Sequence, residues 1–488
     1  MGMDYSAETE QRLAKLAQFR ERGIPVYPSK VKRAHTAAEA LASFQDAGSE
    51  EEFQVAGRLV SIRVMGKSTF AHIEDGSGRI QLYLQENALG DEVYNYFKED
   101  FDVGDFIAVT GTLFQTRTGE ITIRVQQYEL AAKALHPLPE KWHGLKDTET
   151  RYRQRYLDLI ANPDARDVFI KRSRIITAMR RYLDSLDFLE VETPTLQPIY
   201  GGALARPFTT HHQALDTTFY LRISDELYLK RLIVGGLDKV YEICKVFRNE
   251  GISTRHNPEF TMMECYWAFA DYADIMQLTE NLIAYIAQEV LGTTQISYGG
   301  QEIDLTTPWT QISLADAIRQ TAEIDIDTLS DLDSLWGECQ RLGMEVAPQP
   351  SWGKLVEALL DEYVEPTLIQ PTFVHTYPFD ISPLSKQSPD NPQMVERFEL
   401  YIAGRELANA YSELNDPLAQ RERFERLSHL APQGDKEAHP IDEDYVTALM
   451  YGMPPTGGLG IGVDRLVMLL TGQTSIREVI LFPTLRPL

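Results

Sequence analysis

The chain has 488 residues, 43% hydrophobic and 24% charged, a globular composition that excludes wholesale disorder. Lysine and arginine number 47 against 72 acids, and the formal net charge of −25 opposes indiscriminate adhesion to nucleic acid, so a polyanionic partner would have to be met by local basic patches. No apolar run approaches the roughly 18 residues needed to cross a bilayer, and Cys244, Cys265 and Cys339 stand apart, without the spacing of a disulfide framework or a cysteine-ligated zinc site.

Residues 8–22, ETEQRLAKLAQFRER, place Leu13, Leu16 and Phe19 at helical spacing, and Gly23, Pro25 and Pro28 close the pattern. The first residues lack the apolar core of a signal peptide, so a cytoplasmic location is expected and a membrane partner is not. From Phe53 the period changes to two. FQVAGRLVSIRVMGKSTFAHIEDGSGRIQLYLQEN and DFIAVTGTLFQTRTGEITIRVQQYEL read as short strands punctuated by DGSG and RTGE turns. Five such strands with a helix near 89–99 predict an oligonucleotide-binding β-barrel over 51–135, preceded by a helical extension over 1–50. The Pro- and Gly-rich HPLPEKWHGL reads as a linker within 136–150, and a second domain is expected over 151–488.

That second domain reads as α+β, an antiparallel sheet with flanking helices. Residues 165–187 carry Ile175, Ile176, Met179, Leu183 and Leu186 on or near one helical face, and FLEVETPTL follows as a strand stopped at Pro194. Further strand signals surround Tyr220, 240–248, 260–269, 373–379 and 398–413, while 309–365 is mainly helical and reads as an insertion or a scaffold over the sheet.

Three stretches carry chemistry. In FRNEGISTRHNPEFTMME, two strands flank a polar loop, which predicts an antiparallel hairpin. Alternation sets Glu242, Cys244, Val246 and Arg248 on one face of the first strand, and Phe260, Met262, Glu264 and Tyr266 on one face of the second. Such a row fits a pocket floor, and on spacing alone it fits a solvated charge ladder equally well. In RFELYIAGRELANAYSELNDP, Glu399, Glu406 and Glu413 recur at intervals of seven, which suits one helical face, but Ala403-Gly404-Arg405 looks like a turn between strands. Alternation then puts Glu406 opposite to Asn409, Tyr411 and Glu413, so a bulge or turn-end geometry must intervene if the carboxylates are to meet around a cation such as magnesium. The third stretch, GGLGIGVDRLVMLLTG, runs from a Gly-rich strand into an apolar helix with Arg465 near its start. It matches only part of GxGxxG, and VMGKST has Ser61 where a phosphate loop needs its first Gly, so neither nucleotide motif is supported. His211 and His212 point oppositely on a strand and have no third partner at a metal-binding spacing.

Taken in order, the helix and strand ending at Pro194, the FRNE loop closing in RHNPEF, and GLGIGVDR resemble the three signature motifs of class II aminoacyl-tRNA synthetases. The preceding barrel narrows the resemblance to the lysine, aspartate and asparagine subclass. GGALARPF, ELYLKRL, RNEGISTRHNPEFTMMECY and ELANAYSELND look like the lysyl-tRNA synthetase family, and the similarity covers nearly the whole chain. The resemblance implies a ligase that activates lysine with ATP to lysyl-adenylate and pyrophosphate, then transfers lysine to the terminal ribose of its tRNA.

Carried over residue by residue, it implies catalytic roles for Arg248 and Arg465. ATP contacts fall to those two with Glu250, His256, Asn257, Phe260, Glu399 and Glu406, and magnesium to Glu399 and Glu406. The lysine pocket is Gly202, Glu226, Arg248, Glu264, Tyr266, Asn409, Tyr411 and Glu413. An ammonium on a flexible stem wants carboxylates, whereas an aspartate side chain would be repelled by them. RISDELYL departs from the family pattern of a small residue and Pro before the glutamate, and Asp225 adds a charge near the pocket. Arg63, Phe70, Gln81 and Glu120 match anticodon-reading positions, with Arg58, Arg63, Lys67 and Arg79 offsetting the global charge. From residues alone, Phe70 also suits the barrel core. The motif ending at Pro194 implies a homodimer.

Two rivals are weaker. An enzyme lysylating a protein would lack the barrel, and a non-catalytic binding module would show broken motifs, whereas Arg248, Glu399, Glu406 and Arg465 are all present.

Overall fold

The computed structural model describes residues 5–44, 51–138, 145–430 and 441–487, and of residues 427–430 the backbone alone. The expected linker falls mostly on 139–144, outside the described residues, as do 1–4 and 45–50 of the expected extension. The chain divides into two compact units, Met1–Lys146 and Asp147–Leu488.

The first unit begins with α1 (Ala7–Glu21) and α2 (Ala37–Ala42). Strands β1 (Glu52–Met65), β2 (Ser68–Glu74), β3 (Arg79–Gln85), β4 (Phe106–Gln115) and β5 (Ile121–Ala132) follow, with α3 (Glu86–Leu89) and α4 (Asp91–Asp100) after β3. The strands close into a barrel in the order β1-β2-β3-β5-β4. Period-two alternation fills it: Thr69, Ala71 and Ile73 of β2 point inward and Ile80, Leu82 and Leu84 of β3 meet them, while Phe70 and His72 stay on the outer face. Phe70 is therefore not a core residue. Leu16 and Phe19 of α1 and Ala37 and Ala40 of α2 are buried in the same apolar cluster as the barrel, so the helical segment is packed onto it.

The second unit opens with α5 (Thr148–Arg153), α6 (Arg155–Ala161), α7 (Pro163–Ser185), β6 (Leu189–Glu190), β7 (Leu196–Gln197), β8 (Thr209–His212), β9 (Thr217–Leu221) and α8 (Glu226–Val234). It continues with β10 (Lys239–Phe247), β11 (Glu259–Ala268), α9 (Tyr272–Leu291), β12 (Gln295–Tyr298), β13 (Gln301–Asp304) and β14 (Thr310–Ser313). Helices α10 (Leu314–Ala322), α11 (Leu332–Arg341) and α12 (Trp352–Leu359) lead through a π-helical turn, Leu360–Val364, to β15 (Thr372–Pro378), β16 (Met394–Tyr401) and β17 (Glu406–Ser412). Last come α13 (Pro417–Leu430), α14 (Glu443–Met450), β18 (Thr456–Gly462), α15 (Val463–Thr471) and α16 (Ile476–Val479).

Among the described residues the main sheet has eight strands, ordered β14-β15-β16-β17-β18-β11-β10-β6. It is antiparallel except at its ends, where β14 runs parallel to β15 and β6 parallel to β10. The strand expected over FLEVETPTL shrinks to Leu189–Glu190. Past Val191 the backbone leaves the sheet, because the Thr193 N–H donates to the Glu242 carboxylate at 3.1 Å and Pro194 has no N–H to give. The helical stretch 309–365 does cover the sheet: Leu314, Ile318, Leu355 and Leu359 are buried with Val374, Tyr377 and Val395 of β15 and β16. Its first residues, Thr310–Ser313, are the sheet's edge strand and not part of a helix.

One face of the sheet buries Met263 and Cys265 of β11, Ala408 and Ala410 of β17, and Leu459 and Ile461 of β18 against α7, α9 and α15. The intervening residues of the same strands face the other way and, Met262 and Leu407 of the bulged β17 apart, are polar, aromatic or glycine. Alternation along these three strands thus separates a helix-covered core from a cleft. Among the described residues no helix is long and apolar enough to cross a membrane.

Candidate active site

The cleft, of about 540 Å³, lies over β11, β17 and β18. Its floor is the expected row of β11, Phe260, Met262, Glu264 and Tyr266. From the β10 row, Arg248 lies just beyond the strand end and lines the cleft, whereas Glu242, Cys244 and Val246 are buried behind it. Gly458 of β18 shows why its strand is glycine-rich. A Cβ there would come within 2.0 Å of Glu413 Oε1 and 2.7 Å of Tyr266, so the missing side chain makes room for the pocket's own groups. Gly202, at φ +87°, sits against Ser224 and Glu226, where a Cβ would meet Ser224 Oγ at 2.8 Å.

One end of the cleft is acidic. Glu226 begins α8, Glu264 comes from β11, and Glu413 follows β17; all three are buried and line the same wall with Tyr266, Asn409 and Tyr411. Ser224 Oγ donates to Glu264 Oε1 at 3.1 Å and the Tyr266 hydroxyl to Oε2 at 3.0 Å. The Tyr411 hydroxyl donates to Glu226 Oε1 at 2.6 Å. Between Glu226 and Glu413 stands a fully buried cation that the sequence reading passed over, Lys230. Its Nζ is 2.5 Å from Glu226 Oε1, pairs with Glu413, and lies near the faces of Tyr411 and Tyr266. Burial disfavours its charge, but Glu226 and Glu413 outweigh burial and raise its pKa. For Glu413, burial raises the carboxyl well above the ordinary range against the pull of Lys230, with Glu226 adding to the rise. Among the described residues, Glu226, Glu264 and Glu413 outnumber the one cation that stands with them, Lys230.

The other end is cationic. The Arg248 N–H bonds to Pro258 O at 2.9 Å, closing the β10–β11 loop, and its guanidinium stacks on Phe260 at 5.2 Å. Burial lowers its pKa while Glu250, Glu406 and Glu264 act the other way and Arg465 adds to the lowering, so both arginines bear on one space. Within the loop Ser253 caps a tight turn, taking the His256 N–H at 3.0 Å and bonding His256 Nδ1 at 3.0 Å. Glu250 and His256 are exposed at the rim. Asn257 is buried, tied to Glu259 O at 2.6 Å and to the Thr484 N–H at 3.1 Å. Arg465, in the first turn of α15, donates to Glu406 O at 2.7 Å and Oε2 at 3.0 Å. Its neighbour Asp464 accepts from the Thr261 N–H and from Arg172, each at 2.6 Å, which fixes α15 against β11 and α7. A second cavity of about 360 Å³, lined by Arg255, Arg405 and Glu365, shares His256, Glu406 and Arg465 with this end.

Glu399 and Glu406 also line the cleft. Ala403 and Gly404 both have positive φ, 55° and 65°, the signature of a two-residue hairpin turn between β16 and β17. Leu400 pairs with Ala408 but Tyr401 with Glu406, so Leu407 is the extra residue of a bulge. That bulge is the interruption alternation required, and it rotates Glu406 onto the cleft face. Glu399 accepts from Arg397 at 2.5 Å and from Tyr377 and Tyr401 at 2.9 and 2.5 Å. Asp361, on the π-helical turn, has its carboxyl pushed up to about 6 by burial and by Glu357, Glu399 and Glu406. π-Helical turns recur at functional sites, and this crowding of acids is what a divalent cation relieves.

On the barrel, Arg63 of β1 pairs across from Phe70 of β2, and Phe70 packs on Tyr83 at 4.9 Å. Tyr83 meets Phe114 at 5.8 Å, and Arg124 covers Phe114 at 4.9 Å. Beside this aromatic strip runs a hydrogen-bond chain. Thr122 Oγ1 donates to Gln81 Oε1 at 2.8 Å, and Gln81 Nε2 donates to Glu120 Oε2 at 2.7 Å. His72 bridges Glu120 Oε1 at 2.9 Å and Ser61 Oγ at 2.8 Å. Arg58 and Lys67, expected to serve a polyanion, are engaged within the barrel, Arg58 with Gly104 O and Phe106 and Lys67 with Glu86.

The chain matches two family models, tRNA synthetases class II (D, K and N) over residues 147–486 and the OB-fold nucleic acid binding domain over 53–131. It is similar to curated proteins along nearly its whole length. Identity is 54% over 476 residues to the lysine–tRNA ligase of Carboxydothermus hydrogenoformans, covering 98% of this chain and 97% of that one. It is 55% over 489 residues to the lysine–tRNA ligase of Roseiflexus castenholzii, covering 99% and 100%. For the lysine–tRNA ligase of Bacillus subtilis it is 52% over 485 residues, covering 98% and 97%.

Proposed function

Because this chain belongs to the class II tRNA synthetases, and among them to the lysine–tRNA ligases, we propose that its cleft activates lysine with ATP and passes the lysyl group to tRNA. The observation that carries the assignment to this cleft is the convergence of Glu226, Glu264 and Glu413 at one end with Arg248 and Arg465 at the other. A substrate whose side chain ends in an ammonium offers a cation to the acidic wall; aspartate would add a further negative charge.

In the first step the lysine carboxylate attacks the α-phosphorus of ATP, a phosphorus–oxygen bond forms, and pyrophosphate leaves with the electrons of the broken one. Arg248, at the cationic end yet near enough to Glu264 to feel its charge, meets with one planar guanidinium both the amino-acid carboxylate and the charge growing on the α-phosphate. Arg465 grips the far phosphates, aided by Glu250, His256 and Asn257 around the nucleotide and by Phe260 under the adenine. In the second step the tRNA ribose hydroxyl attacks the lysyl carbonyl and AMP leaves. Positioning and charge stabilisation suffice, so no side-chain nucleophile is needed. Glu399 and Glu406 would hold magnesium, which when bound offsets triphosphate charge. The raised carboxyl of Asp361 beside them supports the fit.

Gly202, Tyr266, Asn409 and Tyr411 frame the lysine. Arg63, Phe70, Gln81 and Glu120 read the anticodon, with Phe70 stacking on a base and the hydrogen-bond chain presenting fixed polar edges. The protein acts in the cytoplasm as a homodimer through α7 and the segment after it, where Ile170, Leu189 and Leu196 are exposed apolar side chains. Amino-acid-dependent exchange of pyrophosphate into ATP tests the assignment: lysine alone should drive it, and exchange driven by aspartate or asparagine would overturn the pocket.

A further inference from the structure

Asp225 stands one residue before Glu226 but does not line the cleft. It is fully buried, and neither of its carboxylate oxygens meets an N–H or O–H donor. Although it occupies the N-cap of α8, its side chain makes no cap bond. Titratable groups from several elements face it. Glu264 comes from β11, Glu242 and Cys244 from β10, and Arg222 from the strand-to-helix connection. On α8 itself Glu226 and Lys230 are engaged with each other and with Glu413.

Both cations among these neighbours are already committed, Lys230 to Glu226 and Glu413. Arg222 donates to Glu242 Oε1 at 2.6 Å and to Lys245 O at 2.8 Å, and Thr193 completes Glu242 through Oε2 at 2.6 Å. An ionised Asp225 would therefore be a buried charge without a donor, beside two further carboxylates, an arrangement folded proteins avoid. The contact left to it is with Glu264, carboxyl against carboxyl. Two carboxylates repel there; an acid and a carboxylate form a short, charge-assisted hydrogen bond.

We propose that Asp225 is a neutral carboxylic acid whose O–H donates to Glu264, making it a positioning residue for the carboxylate that meets the substrate amine. It is the third donor to Glu264, after Ser224 and Tyr266. Burial, then the charge of Glu264, drives the Asp225 carboxyl well above the ordinary range, in keeping with the geometry. The oxygens of Asp225 and Glu242 and the sulfur of Cys244 lie within 4.8 Å of one another, a spacing that would also suit a metal. Burial raises the Cys244 thiol, so a metal there would have to displace its proton. The neutral acid holds Glu264 in place without adding a negative charge to the wall.

The proposal rests on the lysine reading of the cleft, and two measurements separate them. D225N keeps a donor in the amide Nδ2–H, and D225A removes it. In pyrophosphate exchange D225N should leave the KM for lysine within about twofold, while D225A should raise it roughly tenfold with the KM for ATP unchanged. Infrared difference spectra of wild type against D225N at about pH 8 should show the carbonyl stretch of a protonated carboxylic acid present in the first and absent in the second. That arm needs neither D225A to fold nor lysine to be the substrate. An equal rise in lysine KM for D225N and D225A would overturn the proposal. So would a missing carboxylic acid band, or one zinc ion per chain in the purified protein that D225N loses. Wild-type exchange indifferent to lysine would instead sink the substrate reading, and the infrared band would still decide the proton.

Discussion

Glu226→Gln isolates the role of charge in amino-acid choice. Glu226 Oε1 accepts from Lys230 at 2.5 Å and from Tyr411 at 2.6 Å, and a glutamine carbonyl of the same size accepts from both, so the wall keeps its shape and loses one negative charge. Two unit charges about 4 Å apart at an effective dielectric near 20 attract by about 4 kcal/mol, an upper bound for the substrate ammonium. A hydrogen bond to a charged group contributes about 1.5–3 kcal/mol and a neutral one about 0.5–1.5, so the exchange forfeits about 1–1.5 kcal/mol, and this smaller figure governs because the amide still accepts. At 1.4 kcal/mol per decade the KM for lysine should rise by about 5- to 12-fold. The assay is lysine-dependent pyrophosphate exchange at saturating ATP, run in parallel with a lysine isostere whose side chain ends in a neutral group. The isostere should lose far less, so discrimination between the two narrows. An unchanged lysine KM, or equal losses for lysine and isostere, would refute the electrostatic reasoning.

Arg248→Ala should abolish exchange, and Arg248→Lys should restore little of it, because a point charge cannot bridge carboxylate and phosphate as the guanidinium fork does; near-normal exchange in either variant contradicts the role. Phe70→Ala should leave exchange intact and weaken tRNA charging by about 5- to 150-fold, the worth of one stacked base; equal loss of both activities would mean that the barrel does not act separately. Lysine binding should release protons. Glu413 is raised in the empty pocket, a bound ammonium favours its ionised form, and affinity should therefore climb with pH until that carboxyl is ionised without ligand. Calorimetry in buffers of different ionisation enthalpy reads this directly, and proton uptake would reverse the sign.

Much of the fold was legible because period two runs cleanly through it. Met262, Glu264 and Tyr266 alternate with Met263 and Cys265, and Asn409 and Tyr411 with Ala408 and Ala410, so cleft and core faces separate before any coordinates. The bulge at Leu407 was legible only as a necessity, since nothing local marks which residue is extra. Lys230 was missed because ELYLKRL reads as an ordinary amphipathic helix. Its meaning comes from Glu413, 183 positions further along, just past the end of a strand that only the sheet order brings near. Asp361 was hidden likewise: KLVEALLDEYV has a helical period, which gives no sign of the π-helical turn carrying that carboxyl toward Glu399 and Glu406. Tyr83 and His72 sit two positions from Gln81 and Phe70, and the strip and chain they build appear only when the five strands close into the barrel.

A crystal structure with a non-hydrolysable lysyl-adenylate analogue tests the two-ended cleft most directly. The side-chain nitrogen of the lysyl group should lie within about 3 Å of oxygens from Glu226 or the neighbouring acids, with Arg248 on the linkage that replaces the phosphate and the adenine over Phe260. A lysyl nitrogen pointing to solvent, or an analogue bound away from Arg248, would contradict it.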